Sequence, residues 1–157
     1  MTNPVIAELR RGGVVESRHR GAYAVVAAAG ALIAKAGAYQ EAFFPRSAIK
    51  AFQCLPLIES GAAKAFNLND EEIALCCASH GGEAEHVRVA RAILAKAGIG
   101  ETCYECGAHF PTERHAANVL IRAGEKPLSV HTNCSGKHAG MLAFAKHLGA
   151  PLDGYIA

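Results

Sequence analysis

A hydroxyl and an amine stand three residues apart in Pro45-Arg46-Ser47-Ala48-Ile49-Lys50. On a helix, residues at that spacing share one face, with β-carbons about 5–6 Å apart. Ser47 is a poor nucleophile while its proton is held. A neutral Lys50 one turn away would take that proton and let the serine attack a carbonyl carbon. Burial would favour the neutral amine, and a helix N-terminus would favour a developing oxyanion. Ser-x-x-Lys also arises by chance. Its plain alternative is a helix N-cap followed by an exposed lysine.

Other residues carry chemistry at readable spacings. Cys103 and Cys106, with His109 close behind, look like half of a zinc knuckle. A structural zinc site needs four ligands in two clusters, and Cys134 and His138 are the candidates for the rest. Two unrelated thiols in a loop explain that spacing at least as well. Cys134 and Lys137 are three apart, so a helix would place them on one face. A thiolate ligates zinc, and an amine does so only when neutral. From spacing alone, a buried cysteine beside an exposed lysine is the better reading. Cys54, Cys76 and Cys77 read as small buried hydrophobes. Ser135-Gly136-Lys137-His138 is no phosphate loop, because the upstream glycine is missing and His138 replaces the hydroxyl that would hold magnesium. Ser79 and His80 are adjacent and so point apart on regular structure. That makes His80 structural or a pocket wall.

The 157 residues suffice for one domain with a core. With 51% hydrophobic and 19% charged residues the chain should fold. A net charge of +2 without a basic stripe gives no nucleic-acid footprint. The longest uncharged apolar run, 21–34, is too short to span a bilayer, so no membrane partner is expected. The six cysteines are not laid out as a small secreted scaffold, which favours a reducing, cytoplasmic setting.

The elements that must position these residues begin with β-like segments at 14–17 and 23–29, read as an antiparallel meander of two or three strands. A helix opens at Arg46-Ser47, with Ala48, Ala51, Phe52, Leu55 and Ile58 as its buried face, a kink or break at Pro56, and Gly61 as its cap. Asn69 caps a second helix that should run to about His80. A strong amphipathic helix follows over 83–97, with Val87, Ala90, Ile93, Leu94 and Ala97 inward and Gly98 closing it. Thr112 caps another helix. The last starts at Asn133 or Ser135 and ends at Gly149. The fold class is α+β, a short antiparallel sheet packed with a helical block. Unpaired strand edges and an uncovered apolar face predict self-association, with a homodimer as the simplest form.

Four stretches stand in a recognisable order. They are Arg11-Gly12-Gly13-Val14-Val15-Glu16-Ser17, Arg46-Ser47-Ala48-Ile49-Lys50, Cys77-Ala78-Ser79-His80 and Asn133-Cys134-Ser135-Gly136-Lys137-His138-Ala139-Gly140-Met141-Leu142. Together, and with Cys106-Gly107-Ala108-His109, they resemble the type II asparaginases of the rhizobial kind. Those enzymes are similar in fold to serine β-lactamases and penicillin-binding proteins. The resemblance covers nearly all of 1–157 as a single domain, matching the N-terminal half of the family. It implies Ser47 as nucleophile, Lys50 as its base, Ser79 as a second active-site serine and Arg46 beside the substrate pocket. It implies zinc on Cys134 and Lys137, and no organic cofactor. The family's second lysine, third metal ligand and ammonium-holding acids have no counterparts in 1–157, so this stretch alone is expected to be inactive.

The implied activity is hydrolysis of L-asparagine to aspartate and ammonia through a Ser-Lys acyl-enzyme. One alternative is another Ser-x-x-Lys amidase, a glutaminase or a β-lactamase-like enzyme. A second, of a different class, is a non-catalytic zinc-binding or interaction fragment built on Cys103, Cys106, His109 and Cys134.

Overall fold

The computed structural model describes residues 2–156, which fall into two compact units divided after Phe44. The first unit is all strand. β1 (Val5–Arg11) pairs antiparallel with β2 (Val14–Arg20), and β3 (Tyr23–Val26) pairs antiparallel with β4 (Leu32–Ala36). These are two separate two-stranded sheets, where the sequence suggested one meander beginning at Val14. The missed strand is β1. It follows from the two-residue turn Gly12-Gly13, whose φ angles of +54° and +82° suit a tight hairpin that only glycine enters freely. Glu8 sits between Arg10 and Arg18 at 2.9 and 3.0 Å and ties the first hairpin across its strands.

The second unit is helical. A 3-10 turn over Arg46–Ile49 leads into α1 (Lys50–Glu59), followed by α2 (Ala62–Ala65), α3 (Asp70–Cys76), α4 (Ala84–Ala97), α5 (Arg114–Ala123) and α6 (Ser135–His147). The fold class is therefore α+β, with six α-helices among the described residues. Caps set most boundaries. Asn69 accepts from Glu72 N while the Glu72 carboxylate accepts from Asn69 N, a complete capping box. Gly98 and Gly124 close α4 and α5 in the left-handed region. Two boundaries differ from expectation. α3 stops at Cys76 and does not continue toward His80. Glu113, not Thr112, caps α5, its carboxylate accepting from Ala116 N at 2.7 Å.

α6 is the axis of this unit. α1, α3 and α4 all pack on it, and it is buried on most sides by small residues. Ile93 and Leu94 of α4 and Leu142 of α6 are fully enclosed, with Val130 between them. All five inward positions expected for α4 are buried. α1 is the reverse of its expected orientation. Lys50, Cys54 and Leu57 face inward, while Phe52, Leu55 and Ile58 are exposed. The helix is apolar on nearly every side, so its own pattern could not select the buried face. α1 also runs unbroken through Pro56.

Two glycines let α6 approach α3. A β-carbon at Gly136 would lie 2.5 Å from Leu75 Cγ and 2.6 Å from the Leu75 carbonyl oxygen. One at Gly140 would lie 2.8 Å from Cys76 Sγ. Gly136→Ala is therefore expected to cost about 3 kcal/mol by overpacking against backbone that cannot yield. Chemical denaturation would measure it, and a loss under about 0.5 kcal/mol would contradict the close approach.

Candidate active site

Three segments of the helical unit converge on one point. The 3-10 turn carries Ser47 and hands the chain to α1, which begins at Lys50. The segment after α3 carries Ala78, Ser79 and His80. The segment before α6 carries Asn133. Lys50 is only 3% exposed, beneath the two exposed serines. Its Nζ donates to Ser79 Oγ at 2.8 Å, to the Ala78 carbonyl at 2.9 Å and to the Asn133 carbonyl at 3.4 Å. Ser79 Oγ in turn donates to Ser47 Oγ at 2.9 Å. Ser79 thus stands between the two residues of the Ser-x-x-Lys pair. The spacing argument placed the amine directly on Ser47, as an α-helical turn would. Ser47 lies instead in the 3-10 turn, whose tighter winding alters that geometry.

Arg46, next to Ser47, is held at φ +49°, a left-handed conformation costing a non-glycine residue about 1–2 kcal/mol. Strain of this kind collects where a site requires it. Here it sits on the turn that presents Ser47.

His80 locks the surrounding loops. Its Nδ1 accepts from Gly82 N at 3.2 Å, so the ring proton lies on Nε2, which donates to Ser135 Oγ at 3.1 Å. Its backbone N–H donates to the Asn133 carbonyl that also receives Lys50. The imidazole therefore fixes the spacing of the two segments between which the amine is held. A β-carbon at Gly82 would lie 2.6 Å from the His131 carbonyl, so this loop also requires glycine to close.

A family model described as L-asparaginase II matches residues 7–157. The chain belongs to the L-asparaginase II family. No curated protein matched it. The family is one of asparaginase-type amidohydrolases with a small-molecule substrate. Among the described residues no helix is long and apolar enough to cross a membrane.

The remaining residues singled out in this asparaginase-family sequence lie around α6. Cys134 is its N-cap and Lys137 is in its first turn, both half-buried. Among the described residues no group of three or more His, Cys, Asp or Glu side chains is arranged to hold a metal ion. Cys134 and Lys137 would supply two donors, short of a tetrahedral set. Cys103 and Cys106 are half-buried. Cys106 Sγ lies 3.6 Å from Thr132 Oγ1, and burial pushes its thiol upward. His109 donates through Nδ1 to the Phe110 carbonyl at 2.7 Å and accepts from Asn133 N at 3.4 Å, so its ring serves the loop holding Lys50.

Two buried imidazoles give this family member an acid sensitivity. Burial pushes His80 down to about 4, aided by the nearby His86, Lys50 and His109. Burial likewise pushes His138 down to about 4, with Lys137 and Lys50 adding to it. His138 Nδ1 lies 3.0 Å from Tyr155 OH, which ties the ring to the C-terminal segment. An unfolded histidine titrates near 6.5. Between 6.5 and 4 the unfolded chain binds more protons, so stability falls as pH falls through that window. Each imidazole should cost about 3 kcal/mol by pH 4. Thermal unfolding from pH 7 to pH 4 would show it, and His138→Phe should flatten part of the slope. A flat profile in the parent protein would refute the buried neutral state.

Proposed function

We propose that the protein hydrolyses the side-chain amide of L-asparagine through a covalent acyl-enzyme on Ser47. The single observation that supports this best is the hydrogen-bonded line from Ser47 through Ser79 to buried Lys50. With the amine neutral, its two N–H groups keep the Ala78 and Asn133 carbonyls and its lone pair turns to Ser79, so Ser79 Oγ donates to Nζ and Ser47 Oγ to Ser79, the reverse of the resting directions. The proton then runs from Ser47 to Ser79 to Lys50 as Ser47 Oγ bonds to the amide carbon. Collapse of the tetrahedral intermediate expels ammonia, which takes the proton back along the same line. Water hydrolyses the ester by the reverse relay, leaving aspartate and free Ser47. Arg46, on the strained turn, is proposed to meet the substrate's carboxylate, as guanidinium groups do. The Ser-Lys chemistry parallels that of serine β-lactamases.

The family membership supports the amide substrate, and the site geometry supports the serine. Ammonia release from asparagine, glutamine and a chromogenic β-lactam would separate the readings. The assay should be run on this chain alone and complemented by the C-terminal half that the resemblance implies. Turnover of asparagine over glutamine supports the proposal. Preference for either other substrate replaces it with another Ser-x-x-Lys amidase.

Zinc on Cys134 and Lys137 is proposed from the resemblance, and no step above passes through it. Metal analysis is expected to show zinc lowered in Cys134→Ala and Lys137→Met but kept in Cys76→Ala. Stoichiometric zinc in the Cys134 variant would reject the assignment.

A further inference from the structure

A group of thiols lies directly behind the site and takes no part in the chemistry above. Cys54 is four residues after Lys50, so it occupies the same face of α1 one turn further on. Cys76 is the last residue of α3, two residues before the Ala78 carbonyl that receives Lys50 Nζ. The Cys54 thiol lies close enough to those of Cys76 and Cys77 for each to perturb the others' ionisation, and all three are free. Cys54 and Cys76 share the wall of a cavity of about 480 Å³, together with Leu57, Gly140 and Tyr155. Cys77 does not line it. Cys76 Sγ lies where a β-carbon on Gly140 would stand 2.8 Å away, and that same β-carbon would meet Leu57 Cδ2 of α1 at 3.3 Å, so the sulfur sits where α1, α3 and α6 meet.

We propose that Cys54 and Cys76 are an oxidation site that a small hydroperoxide closes into a disulfide, tying the base of α1 to the end of α3. The cavity admits a reagent little larger than water to both sulfurs. Hydrogen bonds from its neighbours pull the Cys54 thiol down to about 6, while Cys76 and Cys77 are pushed up, so Cys54 is the thiolate that attacks. Cys54 sulfur takes the distal oxygen of the hydroperoxide, the O–O bond breaks, and the alkoxide or hydroxide leaves with a proton. The resulting sulfenic acid is attacked by Cys76 sulfur, and water leaves. Two thiols and one hydroperoxide thus give one disulfide, one alcohol or water, and one water. Cys76 and Cys77 do not pair with each other readily. Neighbouring α-carbons are 3.8 Å apart, short of the usual 4.4–6.8 Å for a disulfide.

Closing the sulfurs to about 2.05 Å draws α1 toward the end of α3. Lys50 and the Ala78 carbonyl lie on the two segments moved. Loss of asparagine turnover on oxidation is the consequence, and this part rests on the proposed function.

The experiment treats the protein with hydrogen peroxide and maps tryptic peptides without reduction. The expected product joins the peptide containing Cys54 to that containing Cys76, with two hydrogens lost and no oxygen gained, and dithiothreitol reverses it. The link should persist in Cys77→Ser and vanish in Cys76→Ser. A sulfinic or sulfonic Cys54 as main product in the parent protein, or a link retained in Cys76→Ser, overturns the proposal. Cys76 and Cys77 share the tryptic peptide 65–88, so fragmentation between them locates the linked sulfur in the parent protein, and this decides even if a variant fails to fold. Ammonia release is measured separately, so a protein that forms the link but hydrolyses no asparagine even when complemented by the C-terminal half refutes only the catalytic reading.

Discussion

Replacing Ser47 by alanine is expected to reduce asparagine hydrolysis to background, a loss on the order of 10⁴–10⁶-fold. The only atom removed is the one proposed to bond to the substrate. Ser47 is exposed, and its hydroxyl is met by Ser79 alone among the described side chains. Stability should therefore change by under about 0.5 kcal/mol, as for other surface substitutions. Thermal unfolding and ammonia release, measured on whichever form of the protein hydrolyses asparagine, would separate the two effects. Mass spectrometry of quenched reactions should find an aspartyl ester on the parent protein and none on Ser47→Ala. Turnover that survives the substitution would remove Ser47 as nucleophile.

The second large effect is expected from Lys50→Met, which keeps the stem and deletes the amine. Turnover should fall by roughly 10³-fold or more, because the proton then has no acceptor at the end of the relay. Alkaline pH should restore little of it, since hydroxide in solution does not occupy the place between the Ala78 and Asn133 carbonyls. Folding should respond differently. Three hydrogen bonds disappear, but so does a buried amine, and the Asn133 carbonyl keeps the His80 N–H. The net cost should stay within about 2 kcal/mol. Full activity restored at high pH would show that Lys50 serves only as charge and not as a placed base.

How far these features can be read from the sequence depends on which contacts carry them. α4 was legible because one apolar stripe recurs at the helical period against charged neighbours. The start of α3 was legible because Asn69 and Glu72 cap within one turn. In α1, Phe52, Leu55 and Ile58 offer as good a stripe as Cys54 and Leu57, and burial of Lys50 is settled by distant partners, so its own pattern does not select the buried face. β1 was missed because pairing of Val5–Arg11 with Val14–Arg20 is decided by the Gly12-Gly13 turn, not by alternation within the strand. In the site, Ser47 and Lys50 stood out by spacing. Ser79 entered only through the family resemblance, yet it lies between them. The Ala78 and Asn133 carbonyls that hold the amine have no side-chain signature at all. Nor does a helical pattern tell that Cys54 meets Cys76, since their approach depends on how α1 and α3 pack.

The glycines of α6 have a bearing on how such an enzyme could be altered. Gly136 touches Leu75, three residues before the carbonyl of Ala78, and Gly140 touches Cys76. The depth at which α3 seats on α6 therefore acts as an adjusting screw for the loop bearing Ser79. A library confined to Leu75, Gly136 and Gly140 would shift that loop by fractions of an ångström without replacing any reacting group. Enlarging residue 136 presses on the backbone of residue 75 itself, so variants at that position are where altered substrate preference should be sought.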